Sequence, residues 1–206
     1  ADLDLPQIQR ELVSRTVGKG SEHLIRSVLT HQLALPEVAS SGLMCASRTL
    51  DDLYELAWLR YQHHYLAING EFAHVYPCVA EGLQQLRSAG LTLACLTNKP
   101  LSFAQPLLQA KGLDVFFSHV FGGDSFERKK PDPLPLLKTC EALQSSPART
   151  LMVGDSSNDA QAARAAGCPV VLVRYGYNHG EPVDGVDADA HVDTLTHIAQ
   201  ALAGKA

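Results

Sequence analysis

From Tyr76 onward, short apolar runs alternate with stretches of helical periodicity, and this alternation restricts the fold more than any other feature of the chain. The runs Leu91–Leu96, His119–Phe121, Thr150–Val153 and Pro169–Arg174 are short and mostly apolar, which predicts strands buried on both faces. Between and after them the spacing predicts helices over Val79–Ala89, Leu101–Lys111, Pro133–Leu143, Asp159–Ala166 and Val192–Leu202, with Gly90, Gly112 and Gly167 as stops. Helices that alternate with buried strands imply a Rossmann-like parallel sheet covered on both faces, an α/β fold.

The first seventy residues read differently. Apolar Ile8, Leu12 and Val13 predict a helix within Gln7–Val17, and Gly18-Lys19-Gly20 breaks it. A second helix starts near Ser21 and carries the stripe Leu24, Ile25, Val28 and Leu29. Residues Pro36–Ser47 read as loop. Thr49 and Asp52 then form a capping-box pattern that opens a long helix through Leu53, Leu56, Ala57 and Tyr61 toward Ile68, closed by Asn69-Gly70. The expected organisation is a helical unit over residues 1–75 and an α/β unit over residues 76–206. Trp58, Tyr54, Tyr61 and Tyr65 are expected in the core or rim of the helical unit. His63 and His64 point about 100° apart on a helix, so they, with His23 and His31, read as surface histidines rather than a metal cluster.

Composition removes several classes of function. The chain is 206 residues long, 46% hydrophobic and 19% charged, which is globular. A net charge of −5 argues against a nucleic-acid partner. No apolar run approaches the roughly 18 residues of a membrane span. Five scattered cysteines, Cys45, Cys78, Cys95, Cys140 and Cys168, predict free thiols and a cytoplasmic protein. The acidic stretch Asp184–Asp193 reads as a solvated turn.

In an open parallel sheet, ligands bind beyond the carboxyl ends of the strands. Three polar groups lie there: Thr97-Asn98-Lys99-Pro100, Arg128-Lys129-Lys130-Pro131-Asp132-Pro133, and Gly154-Asp155-Ser156-Ser157-Asn158-Asp159. Taken singly each is ordinary: Thr97 as a strand-end cap, the lysines as a solvated face, Asp159 as a helix N-cap. Taken in order they bring a hydroxyl, an ammonium and two carboxylates to one mouth. Hydroxyl and ammonium can hold phosphate oxygens, and carboxylates tolerate a phosphate only with a hard cation between them, for which Mg²⁺ is the usual choice.

With Gly122-Gly123-Asp124, Tyr175-Gly176-Tyr177-Asn178 and Gly180-Glu181, these groups resemble the later motifs of haloacid dehalogenase-type phosphatases. Gly18-Lys19-Gly20 and its surroundings resemble that family's inserted helical cap domain. The group most like this sequence is the bacterial phosphoglycolate phosphatases. The resemblance implies Mg²⁺-dependent hydrolysis of a small phosphorylated metabolite, phosphoglycolate to glycolate, through a phospho-aspartate. It assigns Thr97 and the Asn98 backbone N–H to phosphate, and Lys130, with Lys129 as substitute, to offsetting the phosphate charge. Asp155 becomes a magnesium ligand, and Asp159 supports the metal or orients Lys130. Lys19 is a candidate for the far end of the substrate, set against the plain reading of a solvated loop lysine.

The family's first motif, an apolar strand ending in Asp-x-Asp-Gly-Thr, has no counterpart in this sequence. Asp2-Leu3-Asp4 is not it, because no apolar strand precedes Asp2 and Leu5-Pro6 follows. The resemblance therefore places the opening residues inside the cap, with the first central strand of the sheet and the nucleophile outside these 206 residues. Burial of ~5 apolar side chains of such a strand is worth on the order of 10 kcal/mol. The expectation is a polypeptide without phosphatase turnover. The alternative function is a non-catalytic module of the same fold that binds a phosphometabolite or a partner.

Overall fold

The computed structural model describes residue 3, residues 5–39 and residues 49–203. Asp2, Asp4 and Cys45, and most of the loop expected before Thr49, lie outside the described residues.

The chain opens with helices. α1 (Arg10–Thr16), α2 (Ser21–Leu33), the single turn α3 (Pro36–Ala39) and α4 (Leu50–Ile68) come in succession. α4 starts where the capping box places it: Thr49 Oγ1 accepts the Asp52 N–H at 3.2 Å, and Asp52 Oδ2 accepts the Thr49 N–H at 2.8 Å. α2 and α4 bury Ile25, Leu29, Leu53 and Ala57 between them. Tyr54, Trp58, Tyr61 and Tyr65 lie three or four residues apart and so stack along one face of α4, with ring centroids 6.3, 6.0 and 5.2 Å apart. The ladder ends on Phe103, 4.9 Å from the Tyr65 ring and almost wholly buried, which joins the helical segment to the α/β part of the chain.

The rest alternates as expected: α5 (Val79–Ser88), β1 (Ala94–Leu96), α6 (Leu101–Ala110), β2 (His119–Phe121), α7 (Leu134–Ala142), β3 (Met152–Gly154), α8 (Ser157–Ala166), β4 (Val170–Val173), β5 (Ala190–Val192) and α9 (Leu195–Ala203). All pairings are parallel, but the layer is in two pieces, β1-β2 and β3-β4-β5. Both pieces share the same cores. On one face α5 and α9 bring Leu86, Ile198 and Ala199 against Leu93, Leu151, Val153 and Val171. On the other, α7 and α8 bring Leu136, Cys140, Ala160 and Ala163 against Leu96, Met152, Val170 and Leu172. β1 and β3 each pair on one edge only among the described residues.

Three details differ from the expectations. Pro36–Ala39 is a helical turn rather than loop. The apolar run Leu91–Leu96 is strand only from Ala94, and Leu91 is exposed, because hydropathy marks burial while a strand also needs a pairing partner. The stretch Asp184–Asp193 is not simply a turn. It contains β5, and its carboxylates clasp arginines: Asp187 and Asp189 hold Arg164, while Asp184 and Asp193 hold Arg174. The acids disguise an edge strand, and charged flanks are a common way to keep such an edge from pairing further.

α5 and α9 approach closely through Gly82, where a Cβ would stand 2.5 Å from Leu195 Cβ and 2.9 Å from its backbone. Gly82→Ala is expected to force the two helices apart and lose about 1–3 kcal/mol, read as a lower urea midpoint.

Candidate functional site

Two strand ends and one loop build the site. β1 stops at Leu96, and Thr97 still donates its N–H to Phe121 O at 3.0 Å, so its position is set by the ladder. The chain then turns, with Lys99 N–H donating to Thr97 Oγ1 at 3.1 Å. That leaves the hydroxyl proton of Thr97 without an acceptor among the described residues, free to donate into the cavity.

β3 stops at Gly154 and α8 begins at Ser157. Ser156 is the N-cap and Asp159 its capping-box partner, so Asp159 is the third residue of the helix rather than the cap itself. Asp159 Oδ2 accepts the N–H groups of Asp155 and Ser156, each at 3.1 Å, and the Ser156 hydroxyl at 2.8 Å. Its other oxygen, Oδ1, takes the Lys130 ammonium at 2.8 Å. The same ammonium donates to Leu96 O at 2.7 Å. Lys130 and Asp159 are both buried.

Asn98 fixes the Lys130 loop from below. Its Nδ2 donates to Lys130 O at 2.8 Å and its Oδ1 accepts the Lys130 N–H at 3.0 Å. The sequence expectation gave Asn98 a backbone role, and the structure adds this side-chain clamp. Lys129 takes no part in the ion pair. Its ammonium lies by the Gly20 backbone, where an added Cβ would be 3.2 Å away.

Asp155 is held by a glycine turn. Tyr177 N–H donates to Asp155 Oδ2 at 2.9 Å. Gly176 (φ +115°) lies so close that a Cβ there would come within 2.1 Å of the same oxygen. The other Asp155 oxygen has no hydrogen-bond donor among the described residues. Burial, with the Asp159 charge in support, pushes the Asp155 carboxyl up to about 6 against the pull of the Tyr177 N–H and Lys130. For Asp159, burial acts upward too, but the Lys130 ammonium and the hydrogen bonds from Lys130, Ser156 and the Asp155 N–H outweigh it and hold the carboxyl below the usual range.

Thr97, Asn98, Lys130, Asp155 and Asp159 thus line one cavity of about 500 Å³. Val17, Gly18, Gly20, Tyr61 and Tyr65 cover it from the helical segment. Lys99 also lines it, and was not singled out in the sequence. Burial lowers its ammonium's pKa, and it lies against the Tyr65 ring and hydroxyl. Lys19 falls elsewhere, on an open basin of about 1100 Å³ that it shares with His23, Lys129 and His179.

The donor chemistry suits a hard cation in one respect and limits it in another. Asp155 offers a desolvated carboxylate with one free oxygen, which a small divalent cation would satisfy. Asp159 has both oxygens spent, so in this arrangement it orients Lys130 and steadies the Asp155 turn. Among the described residues no three His, Cys, Asp or Glu side chains gather as a ligand set. A cation here would rely on Asp155 together with an anionic ligand.

Residues 2–167 match the family described as haloacid dehalogenase-like hydrolase. The chain is 42% identical over 200 residues to a phosphoglycolate phosphatase of Thiobacillus denitrificans, covering 97% of this chain and 82% of that protein. It is 37% identical over 206 residues to a phosphoglycolate phosphatase of Escherichia coli, covering 97% and 81% respectively. Its fold superposes with a TM-score of 0.86 on the crystal structure of a predicted phosphoglycolate phosphatase from Haemophilus somnus, at 32% identity and over 98% of this chain and 85% of that one.

Lys130→Met leaves the buried Asp159 carboxylate without its cation, and is expected to cost about 3–5 kcal/mol in urea unfolding. Adding Asp159→Asn to it should recover part of that loss. Asp155→Asn should act in the opposite sense. A carboxyl whose folded pKa, about 6, lies above its unfolded value costs stability when ionised. The variant should therefore gain on the order of 1–3 kcal/mol at pH 7.5. The gain should shrink as pH falls through 6 and vanish below about 4.

Proposed function

The chain belongs to the haloacid dehalogenase-like hydrolases, and from that premise we propose that it carries the substrate cavity of a magnesium-dependent phosphatase whose substrate is phosphoglycolate. The observation that carries this reading is the convergence of the Thr97 hydroxyl, the Lys130 ammonium and the Asp155 carboxylate on one roofed cavity. Thr97 has a free proton to give a phosphoryl oxygen. Lys130 is fixed by two acceptors and presents its charge at the cavity wall without having to be immobilised when the substrate arrives, which is how positive charge stabilises a transferring phosphoryl group most effectively. Asp155 would hold Mg²⁺, and that cation would supply charge neutralisation between carboxylate and phosphate.

The roof of the cavity is the helical segment, taken as the cap over residues 1–75 on a core of residues 76–206, with Tyr61 and Tyr65 as its aromatic wall. A soluble metabolite in the cytoplasm, with neither nucleic acid nor membrane as partner, fits the acidic net charge and the lack, among the described residues, of any helix long and apolar enough to cross a membrane. A pure binding module would have no use for the desolvated Asp155.

These 206 residues contain no Asp-x-Asp-Gly-Thr, so the polypeptide as written is expected to release phosphate from phosphoglycolate no faster than its Asp155→Asn variant. Extending it at the amino end with an apolar strand that closes in Asp-x-Asp-Gly-Thr should create magnesium-dependent release, abolished again by Asp155→Asn. Release by the unextended chain above that control refutes its expected inactivity. A folded, extended chain that hydrolyses no phosphoglycolate refutes the substrate.

A further inference from the structure

The roof of the cavity is fastened by polar contacts. The segment joining α1 to α2 is Val17-Gly18-Lys19-Gly20, and α1 buries none of its residues, so little apolar packing anchors this stretch. Two consecutive carbonyls do. Val17 O faces His179 Nδ1 at 3.2 Å. Gly18 O accepts from Asn98 Nδ2 at 3.3 Å and from Asn158 Nδ2 at 3.4 Å. Asn158 Nδ2 also meets His179 Nε2 at 3.3 Å. Gly18 (φ +106°) packs flat on the imidazole, since a Cβ would lie 3.0 Å from His179 Cε1.

The clamp is preformed on the core side. Asn158 is buried on α8, and Asn178 Oδ1 accepts the Ser157 N–H at 2.9 Å, which ties the His179 loop to the start of the same helix.

Proton bookkeeping then selects one state of the ring. A carbonyl accepts only, so Nδ1 must carry the proton that meets Val17 O. The Asn158 amide has two N–H groups, one for Gly18 O and one for His179, so Nε2 must present its lone pair. Only the neutral Nδ1–H imidazole meets both demands. A second proton at Nε2 would face an amide donor, and rotating Asn158 to offer its oxygen would set that oxygen against the Gly18 carbonyl.

We propose that His179, working with Asn158, is a positioning residue that fastens the Val17–Gly20 segment over the phosphate cavity, and that it does so only as the neutral Nδ1–H imidazole. The closed cavity is the one proposed as the substrate site. The fastening itself is tested without substrate, so failure of the phosphatase reading leaves its outcome untouched.

Several charged or titratable groups share the basin with the ring: Lys19 on the clamped segment, His23 on α2, and Arg128 and Lys129 on the loop before α7. The carboxylates there are Glu22, Glu127 and Asp132; Glu22 is already paired with Arg26, and Asp132 accepts the Leu134 N–H. Lys130 is neutralised by Asp159. His23 registers this field: burial and then the charges of Lys19, Lys129 and His179 lower its pKa.

The test is an NMR titration of the His179 ring nitrogens alongside hydrogen–deuterium exchange of residues 10–24 in the 206-residue chain, expressed as protection relative to the intrinsic rate at each pH. The expected result is an Nδ1–H tautomer at high pH, and protection of residues 17–24 that falls at least fivefold in step with protonation of His179. His179→Leu should lose that protection at every pH. His179→Asn, which retains a donor at the δ position but does not titrate, should keep most of it with a flat pH profile. Protection of β3 and β4 reports whether a variant is folded; a variant that loses it is set aside, and the wild-type titration decides. An Nε2–H tautomer, or protection that ignores the protonation of His179, overturns the proposal.

Discussion

The buried Lys130 ammonium holds the α/β part of this molecule in register. It donates to the last carbonyl of β1 and to the Asp159 carboxylate at the start of α8, and so ties the two pieces of the parallel layer where no strand-to-strand hydrogen bond does. Desolvating a charge is costly, and the pair is supported because both Asp159 oxygens and two of the three ammonium protons have partners. Asp159 accepts three further hydrogen bonds, and Asn98 grips the Lys130 backbone at both its N–H and its carbonyl. The same contacts that stabilise the pair therefore place a fixed cation at the mouth of the sheet.

Two neighbouring aspartates show how environment divides labour. Asp155 directly follows β3 and Asp159, four residues on, lies in the first turn of α8. Asp159 has a cation and a full set of donors and stays ionised. Asp155 is desolvated with one donor and an idle oxygen, which drives its carboxyl up to about 6. Unlike surroundings thus give two nearby acids unlike proton affinities.

The helical segment is joined to the α/β part by two unlike kinds of contact. At one end the aromatic ladder of α4 closes on Phe103, a mainly apolar contact to which Asn69 Nδ2 adds one hydrogen bond on Phe103 O at 2.8 Å. At the other, the Gly18 stretch is fastened through a handful of polar atoms whose donors and acceptors must match. Apolar contact tolerates sliding, whereas hydrogen bonds are made or broken.

Much of this was legible before any coordinates. Alternating apolar runs determined a parallel α/β layer, the Thr49–Asp52 pattern determined the start of α4, and the polar groups after each strand named Thr97, Lys130, Asp155 and Asp159. They could be named because strand ends and helix starts are local events, and in a parallel sheet those events share one edge. β5 was hidden because it is three residues long, with only Ala190 and Val192 apolar, amid acids whose arginine partners are distant in sequence. Lys99, His179, Asn158 and the Asn98 side chain were not assigned for a related reason: their roles depend on which loops meet, and no local pattern records a meeting between residue 18 and residue 179. The amino-acid order alone determined which groups reach the mouth of the sheet. Tertiary structure alone decided which of two acids ionises more readily, which lysine pairs with Asp159 and which groups meet the Gly18 stretch, because desolvation and hydrogen-bond matching are set by neighbours that only folding brings together.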